Sequence, residues 1–186
     1  MRKRHSGFTL IEMMVVVALL AILMMVAAPS VRDLTLNARM TSTANDLMTD
    51  LSIARSEAVK RGARTAVCSS STGTGCTTTP WEQGWIVFID ADADGNLAAA
   101  ADIVKVVPGI QGMSAVSVGH GVNGAGASFV PFRPSGATNP TAADITFTLC
   151  DSRTIATVGA SAAQLRGRQV SVTRTGRSIV TRFTCP

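Results

Sequence analysis

Residues 7–12, Gly7-Phe8-Thr9-Leu10-Ile11-Glu12, open the stretch whose reading decides the fold. Basic Arg2, Lys3 and Arg4 stand before it, and every residue from Leu10 to Ala28 is apolar except Glu12. About 17–25 apolar residues are what a spanning helix needs, and the basic cluster ahead of the run keeps the N-terminus cytoplasmic by the positive-inside bias. A secretory signal peptide shares the pattern, but its apolar region is shorter and an acid sits badly in it. A carboxylate at the centre of a span costs on the order of 2.5–3.5 kcal/mol, so Glu12 needs a partner or a purpose. One reading of the residues alone is that it rests near its own helix N-terminus, favoured by the macrodipole.

The apolar run gives way after Pro29 to an amphipathic pattern. Ala44, Leu47, Leu51, Ala54 and Ala58 recur at helical spacing, with charged Arg39, Asp46, Asp50, Arg55 and Glu57 between them. Glu57 stands four residues before Arg61, the favourable order for an ion pair, and Gly62 is placed as the helix stop. Pro29 lacks a backbone donor and should kink the helix. From Arg64 onward short β-branched runs alternate with Gly, Ser, Asn and Pro, the pattern of a mostly antiparallel β domain. The candidate strands are TAVCS, GWIVFID, IVKVVP, SAVSV, SFVPF, ITFTLC, TIATV, RQVSVTR and RSIVTRF. At 186 residues the chain holds one such body plus the helix. The expected division is a leader at 1–7, an apolar helix at 8–28, an amphipathic helix at 29–62 and a β-rich domain at 63–186.

All four cysteines, Cys68, Cys76, Cys150 and Cys185, follow the apolar run, which places them in an exported, oxidising compartment where disulfides form. Three pairings are possible. The reading adopted here joins Cys68 to Cys76 across a short Ser/Thr/Gly loop and Cys150 to Cys185, fastening the C-terminal end. No CxxC pair supports a zinc site, and no metal or cofactor is expected.

The basic leader, Gly7, Phe8, Glu12 and the long apolar helix together resemble the prepilin processing site of type IV pilins and type II secretion pseudopilins. The resemblance implies an α+β, type IV pilin-like fold and cleavage after Gly7 by a prepilin peptidase, with methylation of the new terminus on Phe8. It also implies that Glu12 meets the amino terminus of a neighbouring subunit, and Pro29 fits the family's helix. The implied partners are other pilins, the peptidase and the inner membrane, with the body periplasmic before assembly into a surface pilus. The ARSEAVKRG helix end, Cys68, the Trp81 to Trp85 stretch with its acidic turn, and TLCDSR are similar to the GspH/FimT branch of minor pilins and pseudopilins.

Three further features bear on chemistry. Asp90, Asp92, Asp94 and Gly95 match the opening of an EF-hand loop, but Ala101 stands at the twelfth position, where a bidentate glutamate belongs, so an acidic strand connection is the preferred reading beside a weak calcium site. No nucleophile, base and orienting acid can be assembled, since His120 is the sole histidine outside the leader, and the reading is a non-enzyme without a small-molecule substrate. Beyond Asp151 there is no acid, while Arg153, Arg166, Arg168, Arg174, Arg177 and Arg182 follow. Three of the 17 Lys and Arg lie in residues 1–7, so 14 remain against 12 acids after cleavage, and the tail stands out from a nearly balanced remainder.

A hairpin turning at Thr175 and Gly176 would place Arg174 and Arg177 side by side. Guanidinium forks match phosphate oxygens without reading base sequence. The competing reading makes these arginines solvated strand residues or partners for acids on neighbouring subunits. FimT-like minor pilins are associated with DNA uptake in natural transformation through a C-terminal Gly-Arg-x-Arg element. Here Gly176 and Arg177 match it, with Ile179 at the second arginine position, so the resemblance implies sequence-nonspecific DNA binding by Arg174 and Arg177, with Arg166, Arg168 and Arg182 as helpers. No aromatic residues interleave the patch, so base stacking is not expected. A purely structural priming subunit and a type II secretion pseudopilin remain the alternatives.

Overall fold

Leu10–Arg61 forms one helix, α1, which ends at Gly62, in the left-handed conformation (φ +61°). The structure, a computed structural model, describes residues 9–110, 116–120 (backbone only), 129–138, 144–150 and 167–184. No single helix among these residues is long and apolar enough to cross a membrane. The segments Leu10–Met25 and Ser30–Arg61, bent by 44°, are so when taken together. The break spans Pro29, whose missing N–H interrupts the hydrogen-bond ladder. Contacts divide the chain into two units, Met1–Ala38 and Arg39–Pro186.

In the first unit the apolar side chains of α1 are exposed on every face: Leu10 79%, Val17 61% and Met25 78%. In the second, the positions read as an amphipathic stripe are the buried ones, with Ala44, Leu51, Ala54 and Ala58 at 0%. Glu57 pairs with Arg61 at 2.8 Å, as its spacing predicts. Asp50, one of the charged residues that fall between the stripe positions, is itself fully buried.

The β elements are β1 (Thr65–Ser69), β2 (Gly84–Ile89), β3 (Ile103–Pro108), β4 (Val116–His120), β5 (Phe129–Phe132), β6 (Ile145–Leu149), β7 (Gly167–Val172) and β8 (Ser178–Phe183). They form two four-stranded sheets, ordered β3-β2-β1-β5 and β4-β6-β7-β8, in which every described pair is antiparallel. The expected strand TIATV lies outside the described residues. Alternation sets the faces. Val67, Trp85, Val87, Val130 and Phe132 from the first sheet join Ile145, Phe147, Leu149, Val170 and Val172 from the second, with the α1 stripe, in one core. Trp81, in a short 3₁₀ turn before β2, packs edge-on against Phe147 at 4.9 Å.

The other face of the first sheet carries a smaller core. Ala66, Cys68, Ile86 and Phe88 are covered there by Cys76, Leu97 and Phe129. The Cys68–Cys76 disulfide therefore ties the Ser/Thr/Gly loop down as a lid on this second cluster. Cys150 is also disulfide-bonded, and its expected partner, Cys185, lies outside the described residues.

Candidate functional site

At the start of α1 the Glu12 amide donates to Thr9 Oγ1 at 3.3 Å, satisfying one of the free N–H groups of the first turn. Thr9 and Glu12 stand at the spacing of a capping box. Glu12 is exposed among exposed apolar neighbours. Gly7 and Phe8 lie outside the described residues.

The arginine-rich C-terminal segment folds as the β7–β8 hairpin. Its connection differs from the two-residue turn expected at Thr175 and Gly176. The Gly176 amide donates to Thr173 O (2.8 Å) and the Thr173 amide to Arg177 O (2.9 Å), so the turn centres on Arg174 and Thr175. Gly176 follows in the left-handed region (φ +76°), the three-residue loop with a glycine bulge. Arg174 and Arg177 still flank the tip, and both are exposed.

The tip is docked. The Thr138 amide donates to Arg174 O at 3.0 Å, and its hydroxyl reaches Thr173 O and Arg174 O at 3.2 and 3.3 Å. Gly176 is buried, and a Cβ there would stand 2.0 Å from Gly136 O, so two backbones touch where no side chain fits. Gly176 therefore positions the tip, leaving anion contact to its neighbours.

Among the described residues, Arg168 and Arg182 do not join Arg174 and Arg177. Arg168 shares the core-facing side of β7 with Val170 and Val172, and its guanidinium donates to Thr41 Oγ1 on α1 (3.1 Å) and to Gly167 O (3.0 Å). Its cross-strand partner is Arg182, which is exposed. Six residues of extended chain, about 20 Å, separate Arg168 from Arg174. Arg166 lies outside the described residues. Sequence reading missed Arg55, whose Nε lies 3.2 Å from the Cβ position of Gly176; the contact joins residues far apart in sequence and carries no local signal.

The acidic turn joins β2 to β3. The carboxylate oxygens of Asp90, Asp92 and Asp94 lie within 4.8 Å of one another. A cation from the chain itself already meets them: Arg64 Nε is 2.8 Å from Asp90 Oδ2, Nη1 donates to Ala93 O at 3.0 Å, and the guanidinium lies over the Phe129 ring. Burial pushes the Asp90 carboxyl above its ordinary range, against the pull of the Gly95 amide and the Arg64 charge. Asp94 is held below its range by the backbone and side-chain amides of Asn96. Ala101 falls in a 3₁₀ turn, Ala100–Asp102, and supplies no carboxylate ligand. The geometry suits a strand connection braced by Arg64.

Asp50 is a charged group whose burial helical periodicity does not report. Its carboxylate accepts from Trp85 Nε1 (2.9 Å) and pairs with Lys105 of β3, lining an open groove of about 340 Å³ beside that edge strand. Its partners are 35 and 55 residues away in sequence, too far for any helical pattern to report.

Comparison with known proteins places this architecture. Residues 43–176 match the family described as type II transport protein GspH, and residues 2–28 match the prokaryotic N-terminal methylation motif. No curated protein matches closely. Among solved structures, the type IV minor pilin FimU of Pseudomonas aeruginosa is similar in two crystal forms, with TM-scores of 0.54 and 0.51 at 20% identity. The first covers 76% of this chain and 87% of that one. The minor pseudopilin EpsH of Vibrio cholerae is similar with a TM-score of 0.48 at 10% identity, covering 77% of this chain and 97% of that one. With its helix, its two antiparallel sheets and a family match over most of its length, the chain belongs to the GspH/FimT family and is a minor pilin or pseudopilin.

Proposed function

We propose that this chain is a minor pilin of a type IV pilus that binds duplex DNA without sequence preference through the tip of its β7–β8 hairpin. In this reading the peptidase cuts after Gly7, Phe8 becomes the methylated terminus, and the apolar half of α1 holds the protein in the inner membrane with its body periplasmic. Glu12 then meets a neighbour's terminus as the subunit enters the filament near its tip. The observation that carries the DNA reading is the exposed pair Arg174 and Arg177 on a turn fixed by Thr138 and by the Gly136–Gly176 contact. Phosphate oxygens fit the donor geometry of guanidinium groups, and contacts of this kind need not read base sequence.

The test is fluorescence anisotropy of a labelled duplex with the full chain in detergent, titrated in salt. Two phosphate contacts predict about a tenfold loss of affinity between 50 and 200 mM salt. Replacing Arg174 and Arg177 with glutamine is expected to remove most of the binding. An absence of binding at 50 mM salt would contradict the DNA reading and leave a structural priming subunit or a secretion pseudopilin. That second reading is favoured by one observation: Arg168 and Arg182 sit at the far end of the hairpin, and Ile179 holds the position of the second motif arginine.

A further inference from the structure

We infer that the two flanks of α1 in the body are the two halves of one contact between copies of this chain, in which the groove beside β3 of one copy receives Arg182 of the next. The groove lies between α1 and the edge strand β3 and is open, about 340 Å³, with Asp46 and Asp50 on its helix side and Lys105, Val106 and Pro108 on the other. Its charges do not balance. Lys105 pairs with Asp50, whereas Asp46, one turn earlier on the same helix face, is exposed, and its side chain makes no hydrogen bond or ion pair among the described residues. Val106, 47% exposed, adds an apolar wall to the groove. A free carboxylate with an apolar wall fits a long side chain that has an aliphatic stem and a cationic head, and it repels a phosphate.

The other flank of α1 is basic. Arg168 reaches inward from β7 to Thr41, and Arg182 stands opposite it in register on β8. Residues paired across antiparallel strands share a face, and like charges there disfavour each other. Arg168 is held by Thr41 and by Gly167 O, while Arg182 is exposed, and among the described residues its side chain has no partner. At about 100° per residue, Thr41 falls on one side of the buried Met40, Ala44 and Leu47 stripe, and Asp46 and Asp50 fall on the other. One copy therefore offers a free guanidinium on one flank and a free carboxylate on the opposite flank. A contact that joins unlike surfaces is heterologous and can repeat from copy to copy, as a filament requires. Strand addition is not the route: Lys105, Pro108 and a register shift where β3 passes Val87 and Phe88 guard that edge. The contact is made by side chains, and it does not depend on DNA binding at the hairpin tip.

The experiment measures self-association of the full chain in density-matched detergent by sedimentation equilibrium. It compares wild type, Asp46→Arg, Arg182→Asp, the Asp46→Arg/Arg182→Asp double variant and Asp144→Arg, the last an equal charge change at an exposed acid beside Ile145, the opposite end of β6 from the Arg168 pairing. Each single reversal at the contact turns an attraction into a repulsion and is expected to weaken association about tenfold. Mixing the two single variants, or combining both changes in one chain, is expected to restore it, and Asp144→Arg is expected to leave it at the wild-type value. Arg182→Lys keeps the charge and supplies an amine, so carbodiimide treatment of mixed isotopically light and heavy copies is expected to join the peptide bearing position 182 of one copy to the peptide bearing Asp46 of another. That cross-link decides the matter if a reversal variant fails to fold. Wild-type copies that stay monomeric, reversals that associate like wild type, a double variant that does not recover, an equal loss in Asp144→Arg, or no cross-link between copies overturns the inference. Duplex binding by the hairpin tip is read separately and stands or falls on its own.

Discussion

The two halves of α1 are built from the same kind of residue and meet opposite fates. Between Leu10 and Met25 apolar side chains are exposed all round the helix, whereas in the second unit Met40, Leu47 and Leu51 are 1%, 2% and 0% exposed. The later half presents a stripe, matched by two sheets of the same chain. The earlier half has no stripe, and no part of the second unit's core includes it. A large exposed apolar surface marks an interaction site, and a helix apolar on every side is buried in a membrane or a large core. One helix therefore carries two kinds of surface: an apolar one at its start, which the proposed function assigns to assembly, and a stripe at its end that supports the body.

The sharpest way to break this comparison is to truncate a leucine in each half. Leu51→Ala is expected to cost about 2–5 kcal/mol in unfolding of the body, the usual range for a buried leucine. Leu20→Ala, which is exposed at 50% in the chain alone, is expected to change it by less than about 0.5 kcal/mol. Denaturant unfolding in detergent, followed by the fluorescence of buried Trp81 and Trp85, measures both. Equal effects would show that the two halves are not separate.

A smaller effect is expected at Asp50. Asp50→Ala leaves the buried Trp85 indole N–H without its acceptor, which costs about 1–3 kcal/mol, while Lys105, 42% exposed at its side chain, remains hydrated. The same unfolding assay reads it. A neutral result would mean that the indole hydrogen bond contributes nothing to anchoring the helix on the first sheet.

The smallest expected effect is a dependence on pH confined to the body. Burial raises the folded-state pKa of Asp90, so its contribution to stability is full below the unfolded value, near 3.9, and is lost as pH rises through the folded value. Asp94, lowered by Asn96, works in the opposite direction and loses its contribution as pH falls. Asp90→Asn removes the first dependence, so its stability relative to wild type should rise as pH climbs from about 4 towards neutrality. A difference that stays flat with pH would contradict the assigned cause.

What could be read from the sequence follows the range of each interaction. The α1 stripe, the stop at Gly62, the Glu57–Arg61 pair and the cores of the strands are set by neighbours a few residues away, and periodicity reports them directly. The Cys68–Cys76 pair was legible because its loop is short. Asp50 was not, since its burial depends on Trp85 and Lys105. Arg168 shows the middle case. Its alternation with Val170 and Val172 carries the signal that it faces α1, yet counting charges grouped it with the tip. The hairpin tip was located but its docking was not, because Gly136, Gly176 and Arg55 meet only once both sheets and the helix are in place.

The central claim is that the first half of α1 is an assembly element completed by other subunits. Its most direct test is the amount of Glu12→Ala protein recovered in sheared surface filaments relative to the membrane fraction, measured by quantitative immunoblot against wild type. The account predicts normal membrane levels and an unfolding curve like wild type for the body, with filament recovery reduced to background. Recovery in filaments at the wild-type level would contradict it.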